Sequence, residues 1–284
     1  MASFPFLLLS ALAALSAVPA STEGREPDHG PSGYAQVFAD EFDGPTINRG
    51  AWRFDTSRNA AGWYNQEKQY YADGRPENAR IEHGNLIIEA HAETLGRDLH
   101  PDWGGQKFTS VRMITQGLKT WTYGFFEIRA KVPCGRGTWP AIWMLPEDPK
   151  ATWPDGGEID IMEHVGFEPT TIHQTIHTGE FNFSNGTQLT KSFEVRDACT
   201  AMHRYQLLWT PGFIVTGMDD QPQYMVRRVK NDRSRWPFDR PMHLLLNIAV
   251  GGTWGGQKGI DQAAFPARME VDYVRVYQPV ATKG

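Results

Sequence analysis

The sequence predicts an all-β fold, an antiparallel sandwich of the jelly-roll kind. Short runs alternate apolar and polar residues with period two, the mark of strands buried on one face. Loops rich in glycine and proline punctuate these runs, with 28 Gly and 19 Pro in 284 residues. No stretch sustains a helical period, so no helical layer is expected. With 40% hydrophobic residues the chain can bury one sizeable core, and sandwiches of this length commonly stand as a single domain.

The elements follow in chain order. Residues 1–20, MASFPFLLLSALAALSAVPA, hold an apolar run from Phe4 to Val18 and end in a small-residue cleavage pattern. That run is short for a membrane span. It reads as a signal peptide, although no Lys or Arg precedes it. Residues 21–33 read as a polar linker, and residues 34–279 as the folded domain. Leu86, Ile88, Ala90 and Ala92 alternate with Asn85, Glu89 and His91. Phe126, Ile128, Ala130 and Val132 alternate with Glu127, Arg129 and Lys131. Tyr205, Leu207 and Trp209 form another such run. His243 to Val250 is almost continuously apolar, as expected of a strand covered on both faces.

Export would place the chain outside the cytoplasm, extracellular or periplasmic, where a disulfide persists. Cys134 and Cys199 are the only cysteines. One bridge is favoured, and two buried thiols are the alternative. A net charge of −5 gives no attraction for nucleic acid or an anionic membrane. No membrane partner is expected once the signal is removed, and the chain is expected to be a monomer.

The stretch GEIDIMEH (157–164) carries Glu158, Asp160 and Glu163. In a regular strand Glu158 and Asp160 share a face, but Glu163 falls on the other, among Ile159 and Ile161. An unpaired carboxylate there costs several kcal/mol. A β-bulge at Ile161–Met162 would return Glu163 to the acidic face. Three carboxyls so gathered cannot all ionise cheaply, so at least one holds its proton to higher pH. Glycoside hydrolysis uses such a split, one carboxyl donating a proton while another stays charged. A wet acidic strand face is the plain alternative. The neighbours favour chemistry: GTWPAIWMLP puts Trp139, Ala141 and Trp143 on one strand face, and Trp153 lies five residues before Glu158. Indole faces suit the C–H faces of sugars. His173 and His177 would share a strand face, but no helix-borne HExxH and no third ligand accompany them, which argues against zinc.

Over residues 34 to 278 the sequence resembles the bacterial laminarinase-like endo-β-1,3-glucanases of glycoside hydrolase family 16. The resemblance rests on VFADEFDG, NQEKQYY, GNLIIEA, YGFFEIRAKVP, GTWPAIWMLP, GEIDIMEHVG, TIHT, LNIAVGGTWGGQKG and VDYVRVYQ. It implies a jelly roll with a concave cleft, and a retaining double displacement on β-glucan. By motif position Glu158 would be the nucleophile, Glu163 the acid/base and Asp160 the nucleophile's hydrogen-bond partner. Asn65, Arg112, Trp139, Trp143, Trp153, His177 and Trp254 would contact substrate. No cofactor is required, but some relatives carry a structural calcium, and Glu41, the Gly84 carbonyl and Asp272 lie at the matching positions. Mixed-linkage β-1,3/1,4-glucan is the rival substrate, and transglycosylation the rival outcome. A non-catalytic sugar-binding jelly roll would have no use for the complete acid set. Asn182-Phe183-Ser184 and Asn185-Gly186-Thr187 match glycosylation sequons.

Overall fold

A computed structural model describes residues 29–280. The expected signal peptide, and the expected linker as far as residue 28, lie outside that range. Among the described residues seventeen strands account for almost all regular structure. The first nine are β1 (Tyr34–Asp40), β2 (Arg53–Phe54), β3 (Gln69–Tyr71), β4 (Ala79–Glu82), β5 (Asn85–Ala90), β6 (Phe108–Ser110), β7 (Arg112–Ile114), β8 (Gly124–Lys131) and β9 (Thr138–Pro146). The rest are β10 (Glu158–Glu163), β11 (Thr171–His177), β12 (Leu189–Glu194), β13 (His203–Trp209), β14 (Phe213–Met218), β15 (Gln221–Arg227), β16 (Met242–Val250) and β17 (Ala267–Pro279).

Two antiparallel sheets form the sandwich. One runs β12-β11-β10-β9-β16-β7-β2, and the other β15-β14-β13-β8-β17-β5-β4 with β1 also on β17. A short parallel pair, β3 with β6, stands apart. The core lies between the sheets. Leu86 and Ile88 of β5, Phe126 and Ile128 of β8, and Val274 and Val276 of β17 join one buried cluster with Ile142 and Met144 of β9, Ile159 of β10 and Leu244, Leu246 and Ile248 of β16. Each such side chain contributes about 1.5–3 kcal/mol on burial. The period-two expectation holds, except that β5 ends at Ala90 and leaves Ala92 exposed.

Two details depart from plain alternation. Glu127 lies on the polar face of β8 yet is fully buried. Its carboxylate accepts from Gln206 Nε2 at 2.6 Å and from the Tyr273 hydroxyl at 2.8 Å, which offsets its desolvation. Strand β16 is buried throughout, as its apolar run implied. Cys134 and Cys199 form the disulfide, with Cα atoms 5.6 Å apart and a sequence separation of 65. Closing a loop of that length restricts the unfolded chain by roughly 4 kcal/mol.

Candidate active site

The pairing register shows the bulge directly. Asp160 faces Trp143 of β9, but Met162, not Ile161, faces Ile142, and Glu163 faces Ala141. On the other side, Glu158, Asp160 and Glu163 face His177, Thr175 and His173 of β11, so three steps on β10 match two on β11. The extra residue lets Ile159, Ile161 and Met162 all bury in the core. Glu158 and Glu163 are thereby carried to one cleft of about 980 Å³, with the half-exposed Trp139 and Trp143 on its floor.

Each glutamate has its own indole. Trp139 Nε1 donates to Glu163 Oε1 at 3.1 Å, and Trp153 Nε1 donates to Glu158 Oε2 at 2.6 Å. Asp160 sits between the two glutamates, with His177 Nε2 3.5 Å from its Oδ2. Burial raises all three carboxyls. Glu158 is pushed up to about 7 by burial, opposed by the Trp153 N–H and the Arg112 charge. Glu163 is pushed up to about 8 by burial and the neighbouring Glu158. Asp160 rises well above the usual carboxylate range, through burial and the two glutamates that flank it. The Arg112 charge favours ionised Glu158, the Glu158 charge favours the proton on Glu163, and a protonated Asp160 can donate to Glu158. Burial lowers His177 to about 4, so it is neutral near pH 7 and does not offset the acids.

One consequence is testable. Trp153→Phe removes the N–H that favours ionised Glu158, so the rising, acid-side limb of kcat/KM against pH is expected to move to higher pH. An unmoved limb would remove Trp153 from the control of Glu158.

The remaining expected contacts line the same cleft. The Arg112 guanidinium lies 4.7 Å from the centre of the Trp143 ring and 5.3 Å from that of Trp63, and its Nε is 3.2 Å from Asp55. Trp143 Nε1 donates to Asn247 Oδ1 at 2.7 Å, and Asn247 in turn donates to the Tyr71 hydroxyl at 3.0 Å. Trp143 is thus an oriented platform, and Trp143→Ala is expected to raise KM for β-glucan several-fold through lost stacking. Unchanged Michaelis parameters would remove it from the cleft. Trp254 meets Trp139 edge-on at 5.3 Å. Its loop is tied down by Thr253 N–H donating to the Asn65 carbonyl at 2.7 Å. A Cβ on Gly252 would come within 3.0 Å of that same oxygen, and its φ is +77°, so the position calls for glycine.

Sequence reasoning missed Tyr64, Asp55, His243 and Phe183 in the cleft wall, and Asn247 behind it. Asp55, Tyr64 and Phe183 sit on loops, where no period marks a facing residue; His243 and Asn247 lie inside an apolar run. The first sequon is corrected: Asn182 is 2% exposed, and its side chain accepts from Asn185 N–H while donating to the Thr178 and Gly179 carbonyls. It is a structural turn residue and not a surface acceptor.

The carboxylates expected to hold calcium already have cationic partners. Glu41, Gly84 and Asp272 lie close in the sheet, because the end of β1 and the start of β5 flank the same part of β17. However, both Glu41 oxygens accept from Arg275 at 2.9 and 3.1 Å, and Asp272 accepts from Arg129 at 2.7 Å. A calcium ion here would have to share these carboxylates with the guanidinium groups, and Asp272 engages Arg129 through Oδ2 alone. Zinc fares no better. His173 is engaged by Ser192 and Glu168. Among the described residues the one metal-like trio is Cys134, His164 and Cys199, whose thiols are joined in the disulfide.

Comparison with known proteins agrees with the all-β sandwich. The profile of "Glycosyl hydrolases family 16" matches residues 66–275. A β-glucanase of Rhodothermus marinus is 49% identical over 254 residues, covering 85% of this chain and 84% of that protein. A glucan endo-1,3-β-glucosidase of Cryptopygus antarcticus is 35% identical over 251 residues, covering 84% and 90%. The crystal structure of SCLam, a non-specific endo-β-1,3(4)-glucanase, superposes with a TM-score of 0.85 at 50% identity, covering 90% of this chain and 95% of that one. The chain belongs to glycoside hydrolase family 16 and is a glycoside hydrolase.

Proposed function

We propose that the protein is a retaining endo-β-glucanase that cleaves β-1,3-linked glucan through a covalent glycosyl-enzyme intermediate. The observation that carries this reading is the bulge on β10, which brings Glu158 and Glu163 to one cleft. In the first step ionised Glu158 attacks the anomeric carbon, and protonated Glu163 gives its proton to the leaving glycosidic oxygen. In the second step Glu163 takes a proton from water as the water oxygen attacks the same carbon, and the Glu158–sugar bond breaks. Two inversions give net retention. That path requires carboxyls about 5–5.5 Å apart. Asp160 holds and tunes Glu158, and the tryptophans position the sugar rings. Rates require Glu158 charged and Glu163 protonated together. Activity therefore rises with pH as Glu158 loses its proton and falls as Glu163 loses its own.

The names of the similar proteins, a β-glucanase and a non-specific endo-β-1,3(4)-glucanase, support a second substrate, mixed-linkage β-1,3/1,4-glucan. A sugar hydroxyl in place of water would give transglycosylation from the same intermediate. Product analysis on laminarin and on barley-type glucan, side by side, separates these. We expect short oligosaccharides from laminarin with endo kinetics. Cleavage of barley glucan alone would move the assignment to mixed linkage. We also propose that the chain is exported as a monomer, and the disulfide supports an oxidising compartment.

A further inference from the structure

We infer that Phe183, together with Trp153, forms a sugar-stacking subsite on the β11–β12 flank of the cleft. This rests on the glucanase reading above and extends it to a residue that no motif assigns.

Three observations carry it. First, both rings are large, apolar and open to solvent within the cleft: Trp153 is 37% exposed and Phe183 is 50% exposed. Their centroids are 4.8 Å apart with the planes tilted by 32°. At that distance and tilt Phe183 leans on the Trp153 indole, so the side of Phe183 left open to solvent is the apolar surface offered to the C–H face of a pyranose ring, with Trp153 as its backing. Second, the display is rigid. Phe183 opens a single 3-10 turn, Phe183–Asn185, whose N-cap is the buried Asn182 and whose C-cap is Gly186 at φ +67°. A turn fixed by a buried asparagine holds an exposed aromatic in place, so little ordering is lost when a ligand stacks on it. Third, the location is right. Trp153 donates to Glu158, and His177 lies beneath both rings, 6.0 Å from Trp153 and 5.8 Å from Phe183, each edge-on. A ring stacked here lies beside the nucleophile, with Thr190 of β12 further along the same wall. Arg112 on β7 lies on the other side of the catalytic strand, since β9 and β16 separate β10 from β7. Arg112, paired with Asp55, thus marks one flank of the cleft, and Phe183 with Trp153 marks the other, where an added sugar unit gains from stacking.

The test uses Phe183→Ala and Phe183→Trp in the whole protein. Native-gel retardation by laminarin and by mixed-linkage glucan reads binding without turnover. Phe183→Ala is expected to weaken retardation by about 3- to 10-fold in apparent dissociation constant. It should raise KM by a similar factor while leaving the acid-side limb of the pH profile in place, and Phe183→Trp should restore both. Wild-type retardation in Phe183→Ala would overturn the inference. So would a loss confined to kcat with a shifted acid limb, because Phe183 would then be only a brace for Trp153. Absence of retardation for the wild type on either glucan would overturn it as well. Failure of the parent reading looks different: the wild type would release no reducing sugar from either glucan, whatever Phe183 does to binding.

Discussion

Glu158→Gln folds and binds β-glucan but loses turnover on laminarin by roughly 10⁴-fold, about 5.4 kcal/mol of barrier. The amide matches the carboxyl in shape and can still accept from Trp153 Nε1, but it cannot form the ester-like bond to the sugar. Folding should survive for a reason the electrostatics supply. Burial raises the Glu158 pKa, so the folded protein holds this proton more tightly than the unfolded chain does. Stability from that source is fully present below the unfolded value near ~4.3 and is lost as pH rises through the folded value of about 7. A neutral glutamine escapes the loss. The melting temperature of the variant should equal or exceed that of the wild type at pH 8, and the difference should shrink at pH 5. A folded Glu158→Gln with near wild-type activity would refute the nucleophile assignment.

Glu163→Ala lowers turnover of natural glucan by about 10²–10⁴-fold, the usual contribution of a positioned acid/base. The loss should depend on the leaving group. Aryl glycosides with good leaving groups need little proton donation, so their first step should be largely spared. The second step still lacks its base, so a burst of released aryl alcohol should precede a slow steady state. Equal losses on activated and natural substrates would count against the role. Trp139→Phe bears on the same carboxyl, since the indole N–H lies 3.1 Å from Glu163 Oε1.

The centre of the site was legible because parity in a strand is unforgiving. Three acids at spacings of two and three cannot share a face without an extra residue, and the alternative buried a carboxylate among Ile159 and Ile161. The same period-two logic placed Trp139 and Trp143 together, and it found the core faces of β5 and β8. What it could not reach was set by contacts between distant segments. Arg275 and Arg129 occupy the two carboxylates expected to hold calcium, and those pairings follow from the strand register around β17. Asn182 is buried inside its own loop, which its sequon hides. Phe183 and Tyr64 are single aromatics in loops, and nothing local separates a ring at a cleft wall from one facing open solvent. Glu127 looked like an outward charge, yet Gln206 and Tyr273 close over it.

The extra residue in β10 is expected to set Glu158 and Glu163 close enough for a double displacement. Proton NMR of the first sugar released from laminarin, recorded before mutarotation, tests this most directly. The account predicts the β-anomer as the initial product. An initial α-anomer would mean a single displacement by water, with the two carboxyls too far apart for Glu158 to bond to the sugar.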